Sequence, residues 1–63
     1  MDYYETLDEM TRLAGLMSRK LARRCIERDP ALVRTTSPHA REYMRLAALL
    51  PTLRAETKKA IKP

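Results

Sequence analysis

The sequence predicts an all-α fold: an antiparallel helical hairpin of two long helices, with a short helical turn near Pro30 and a kink or restart at Pro51. Three observations carry this expectation. Leu, Ala, Met, Arg, Lys and Glu dominate the 63 residues, Val33, Ile26 and Ile61 are the only β-branched aliphatics, and no stretch alternates as a strand would. Two stretches repeat apolar residues at 4-3-4-3 spacing, the signature of a helix seam. Between them, "DPALVRTTSP" holds two Pro residues, each directly after a side chain able to cap a helix.

The first helix is expected from Asp2 to Arg28. Its seam is Tyr3, Leu7, Met10, Ala14, Met17 and Leu21. Asp2, Glu5, Asp8 and Glu9 open it and Arg or Lys close it, the polarity a helix dipole favours. Asp8 and Glu9 can pair with Arg12 across one turn for a few tenths of a kcal/mol. Gly15 falls mid-helix, where it is roughly 1 kcal/mol worse than Ala. Asp29 before Pro30 then starts the short turn, and Ser37 before Pro38 starts the second long helix. That helix has the seam His39, Tyr43, Leu46, Leu50, Leu53, Thr57 and Ala60, which stays in phase through Pro51. Proline removes the bond to the Ala47 carbonyl and crowds the preceding turn, hence the kink or restart.

A chain this short forms one small helical domain, residues 1–63, and buries only ~60% of the surface its unfolded form exposes. Two helices cannot enclose a core. Leu13, Leu16, Ile26, Met44 and Leu49 lie off the seams and would be exposed on an isolated hairpin. Dimerisation into a four-helix bundle, or docking on another protein, is therefore expected.

The charges have a polarity of their own. The net charge is +5. In a hairpin, Asp2, Glu5, Asp8, Glu9 and Glu56 balance Arg12, Arg54, Lys58, Lys59 and Lys62 at the end holding both termini. Arg19, Lys20, Arg23, Arg24, Arg28, Arg34, Arg41 and Arg45 then outnumber Glu27, Asp29 and Glu42 at the turn, leaving the whole net charge there. On one continuous helix, Arg12, Arg19 and Arg23 share a face opposite the seam, with Leu16 beside them and Ile26 at its flank. This gives a candidate contact surface: Arg19, Lys20, Arg23, Arg24, Arg28, Arg41 and Arg45 as the basic part, Leu16 and Ile26 as apolar anchors.

Chemistry is sparse. Cys25 and His39 are the only soft or nitrogen donors, short of the roughly four ligands a structural zinc takes, so no metal or cofactor is expected. Cys25 near a helix C-terminus is no activated nucleophile, His39 in a first turn no evident general base, and no glycine loop could cradle phosphate. No enzyme and no small-molecule substrate are expected. The start "MDYYETLDEM" is acidic, with no basic-then-apolar leader pattern, and the longest apolar run is "LAALL". A cytoplasmic protein is the expectation. The function expected is a non-enzymatic helical interaction or regulatory protein that docks on an acidic protein surface or self-associates. The alternative is phosphate-directed nucleic-acid binding through the basic pole. Against it, the chain has no Asn, Gln, Phe or Trp to read or stack on bases. Membrane attachment is disfavoured because the basic segment lacks Trp and Phe anchors.

Overall fold

A computed structural model describes residues 1–61, and their side chains as far as Lys58. All of its regular structure is helical: α1 (Tyr3–Leu16), α2 (Arg19–Ile26), a 3₁₀ turn (Pro30–Arg34) and α3 (Pro38–Ile61). Its extents are 42 × 20 × 16 Å. Ala60 of the second seam, and Lys59 and Lys62 of the charge balance, lie outside the described side chains.

α1 begins on a reciprocal cap. The Glu5 N–H donates to Asp2 Oδ1 at 2.8 Å, and the Asp2 N–H donates to Glu5 Oε1 at 3.2 Å. The two acids at the chain start are thus helix-start chemistry.

The expected single helix from Asp2 to Arg28 is instead two helices. Met17 is extended, with φ −96° and ψ 161°, and the Ser18 hydroxyl caps the second helix by accepting from the Leu21 N–H at 3.2 Å. Gly15 is therefore in the last turn of α1. A Cβ there would meet nothing within 4 Å, so Gly15 does not make room for a neighbour.

α2 is two turns long and ends in a Schellman arrangement: the Arg28 N–H donates to the Cys25 carbonyl and the Asp29 N–H to the Arg24 carbonyl. Arg28 occupies the left-handed position, φ 57°, where glycine is the usual residue. Asp29 then caps the 3₁₀ turn, accepting from the Ala31 N–H at 2.9 Å with Pro30 at the first helical position, as the Asp-Pro pair implies. Ser37 caps α3 through the Ala40 N–H at 3.2 Å. α3 runs unbroken through Pro51, so of the kink or restart expected there the restart does not occur.

The core comprises Met10, Leu13, Cys25, Leu32, Ala40, Tyr43, Leu46 and Ala47, with Ala14, Met17, Leu21, Met44 and Leu50 packed against it. Thr6 is fully buried and satisfied, its hydroxyl donating to the Asp2 carbonyl at 2.6 Å. Met10, Tyr43 and Leu46 are the seam residues that become buried. Tyr3, Leu7, Ala14, Met17, Leu21, Leu50, Leu53 and Thr57 are half-buried, and His39 is exposed. Leu13, placed outside the seam by the heptad reading, is 3% exposed. The buried line of α1 runs through Thr6, Met10 and Leu13, turned from the predicted seam because the chain breaks after α1 and presents two neighbours rather than one. α2 and the 3₁₀ turn supply the third wall with Cys25 and Leu32, so the core closes within one chain.

Two outcomes follow from this packing. Leu13→Ala destabilises the chain by about 2–4 kcal/mol, while Leu7→Ala in the half-buried seam position loses roughly half as much; urea unfolding followed by circular dichroism measures both. Arg28→Gly relieves the left-handed backbone and stabilises by about 0.5–1 kcal/mol, a rise in Tm of roughly 2–8 °C by thermal unfolding.

Candidate functional site

The break at Met17–Ser18 redistributes the cations. Arg19 and Lys20 become the first two residues of a helix, where the dipole is positive and cations are disfavoured. The sequence reading had them near the favourable C-terminal end of one long helix. Arg23 and Arg24 sit in the last turn of α2, where the dipole suits them. The break also removes the shared face of Arg12, Arg19 and Arg23: Arg12 belongs to α1 and the other two to α2, so one wheel no longer relates them.

The acids of this region are spent on local partners. Arg23 donates through Nε to Glu27 at 2.9 Å, one turn away on α2. Arg24 donates through Nε to Asp29 Oδ2 at 2.9 Å, tying the end of α2 to the cap of the 3₁₀ turn. Arg45 pairs with Glu42 on α3, and Arg12 with Glu9 on α1. These last two pairs line one small groove together with Met1 and Leu46, a charge-balanced strip between α1 and α3. Arg12 lowers the carboxyl of Glu9 below its ordinary value. Among the described residues, Arg19, Lys20, Arg28, Arg34 and Arg41 have no carboxylate within ion-pair distance. Of the seven basic residues expected to form the contact surface, Arg23, Arg24 and Arg45 are thus neutralised, while Arg19, Lys20, Arg28 and Arg41 are not.

Both expected apolar anchors are exposed, Leu16 by 53% and Ile26 by 61%. Leu16 closes α1 immediately before the break, three residues ahead of the unpaired Arg19. Val33, which the sequence reading did not single out, is the most exposed large apolar side chain at 84%. In the five-residue 3₁₀ turn Val33 follows the buried Leu32, and so short an element has no periodicity to tell which of the two is exposed.

Arg28 stands apart from the other turn cations. It lines an open groove of about 750 Å³ with Tyr3, Leu50, Pro51, Arg54 and Lys58. Charges that the hairpin reading assigned to opposite ends therefore meet, because α2 carries Arg28 back along α3. One guanidinium N–H of Arg28 donates to the Cys25 carbonyl at 3.1 Å, which leaves its other donors free.

Cys25 is fully buried, with Sγ 3.7 Å from Met17 Sδ. Burial pushes its thiol up, against the pull of Arg24 and Arg28. It is a core side chain here rather than a nucleophile. Among the described residues no group of three or more His, Cys, Asp or Glu is placed to hold a metal ion, and no helix is long and apolar enough to cross a membrane.

Asp29 holds the α2–3₁₀ junction, and its carboxyl is pulled below the usual range by the Ala31 N–H first and by Arg24 second. A depressed folded-state pKa contributes stability that is complete above the ordinary Asp value of ~3.9 and is lost as pH falls through the folded value. Unfolding at stepped pH should therefore show the chain losing stability below about pH 4, with Asp29→Asn less stable at neutral pH and showing a smaller acid loss. No protein-family model, no curated protein and no solved structure matches this chain.

Proposed function

We propose that the chain is a small non-enzymatic docking module that binds an acidic protein surface. The observation that carries this reading is the placement of Arg19 and Lys20. Both are exposed, neither has a carboxylate partner among the described residues, and both sit at the helix end whose dipole opposes them. An acidic partner would relieve all three conditions. Leu16, exposed at the end of α1 three residues before Arg19, is an apolar residue of the kind that anchors interfaces rimmed by arginine. Arg41, on the first turn of α3, adds a further unpaired cation to the same reading.

The hairpin expectation enters in modified form. Asp2 and Tyr3 line grooves with Leu53, Glu56 and Thr57, while Glu9 and Arg12 share one with Glu42 and Arg45. This order supports an antiparallel α1–α3 pair, with α2 and the 3₁₀ turn laid across it. A core that closes within one chain has no need of a second copy, so a heterologous acidic partner is preferred to self-association.

Replacing Arg19 and Lys20 together by Glu tests the reading. The acidic pair at the start of α2 should leave the fold intact or stabilise it by about 0.3–1 kcal/mol per residue at low salt. Affinity capture from source cells should retain an acidic protein on the parent chain and lose it on the variant, with nuclease treatment making no difference. Loss of the captured partner on nuclease treatment would instead identify nucleic acid as the partner.

A further inference from the structure

Arg28 lies on a ridge between two depressions of different chemistry. On one side is the basic groove, where Arg28, Arg54 and Lys58 converge over Leu50 and Pro51 with Tyr3 at the edge, and no acidic residue lines it. On the other is a cleft of about 310 Å³ formed by Asp29, Pro30, Leu32, Val33 and Met44, in which the Asp29 carboxylate is already held by Arg24 and the Ala31 N–H. Three cations thus border a recess that is apolar but for that one occupied carboxylate, with the exposed Val33 at its rim.

The backbone adds a third feature. The conformation of Arg28 is itself a local conflict: an arginine holds a left-handed position that glycine would occupy with less strain. Such conflicts between local preference and fold are where functional residues are expected.

We propose that this two-sided surface is a binding site for an acidic amphipathic peptide segment. Its carboxylates would lie against Arg28, Arg54 and Lys58, and an aliphatic side chain would fill the Pro30–Val33–Met44 cleft. The charge complementarity selects an anion, and the apolar cleft selects a peptide over a nucleic acid, whose phosphates carry no aliphatic group for it. The proposal shares with the preceding section only the view that the partner is a protein; the residues differ, so the two stand or fall separately.

The test uses the full chain with three fluorescein-labelled probes in fluorescence anisotropy at 150 mM salt. The probes are a twelve-residue peptide of Glu, Leu and Ala at helical amphipathic spacing, a twelve-residue all-Glu peptide, and a twelve-nucleotide single-stranded DNA. The Glu/Leu/Ala peptide is expected to bind most tightly. Arg54→Ala with Lys58→Ala should weaken it by roughly tenfold, at threefold or so for each charge pair lost. Val33→Ser, at a position too exposed to matter to folding, should weaken it by roughly threefold to tenfold and leave all-Glu binding unchanged. Arg28→Gly should weaken it about threefold while raising Tm, a combination that loss of fold cannot produce. Arg19→Ala with Lys20→Ala should leave it within about twofold, whatever becomes of the partner captured through those residues. DNA or all-Glu binding as tightly as the Glu/Leu/Ala peptide would overturn the proposal, as would unchanged affinity in both the Arg54/Lys58 and Val33 variants.

Discussion

The interruption of the chain between Met17 and Ser18 is the constraint on which the rest of the molecule depends. In an unbroken helix, Met17 and Cys25 would be separated along the axis by roughly 12 Å. Their sulfurs are 3.7 Å apart, which requires the chain to turn back on itself. That turn brings Cys25 into the core with Met10, Leu13, Leu32 and Tyr43, and it converts two helices that could only make a seam into three walls that enclose a centre. For a chain of 63 residues the difference matters, because so small a domain has little apolar surface to bury and no disulfide within the chain to assist it.

The same turn sets the electrostatics. By starting a new helix at Arg19, it places Arg19 and Lys20 at a dipole end that opposes them, and Arg23 and Arg24 at the end that suits them. It then delivers Asp29 to a junction where one carboxylate accepts from Ala31 and from Arg24, while the Asp29 N–H closes the end of α2. The acids nearest the turn are thereby occupied in holding the backbone together. Among the described residues the cations without an ion pair include Arg19 and Lys20 at the start of α2, Arg34 and Arg41 around the start of α3, and Arg28, Arg54 and Lys58 along one groove.

Three local conflicts remain in the fold. Cations begin a helix at Arg19, an arginine occupies a glycine-like backbone position at residue 28, and Pro51 sits inside α3 without an N–H for its ladder. Elsewhere local chemistry and global fold agree: the Asp2–Glu5 capping box, the Asp29–Pro30 and Ser37–Pro38 starts, and the buried hydroxyl of Thr6 with its carbonyl partner. Two of these conflicts fall on exposed cations, and it is on them that the proposal of an acidic partner rests.

The sequence by itself determined the helical class, the starts of α1, of the 3₁₀ turn and of α3, and the burial of Met10, Tyr43 and Leu46. Each of these follows from spacing or from a capping side chain next to its own helix, information that is local. It also supplied the positions of Leu16 and Ile26 as exposed apolar residues. The tertiary structure decided the division of the first helix: the seam spacing runs on through Ser18, a good cap, and the turn there is what brings Cys25 into the core. It decided the burial of Leu13, which needs two neighbouring elements rather than the one a heptad assumes. It decided, too, that Pro51 stays within a continuous helix, and that Arg28 meets Arg54 and Lys58 across a groove. Those residues are twenty-six and thirty positions apart in sequence; no periodicity relates them, and only the path of α2 along α3 brings them together.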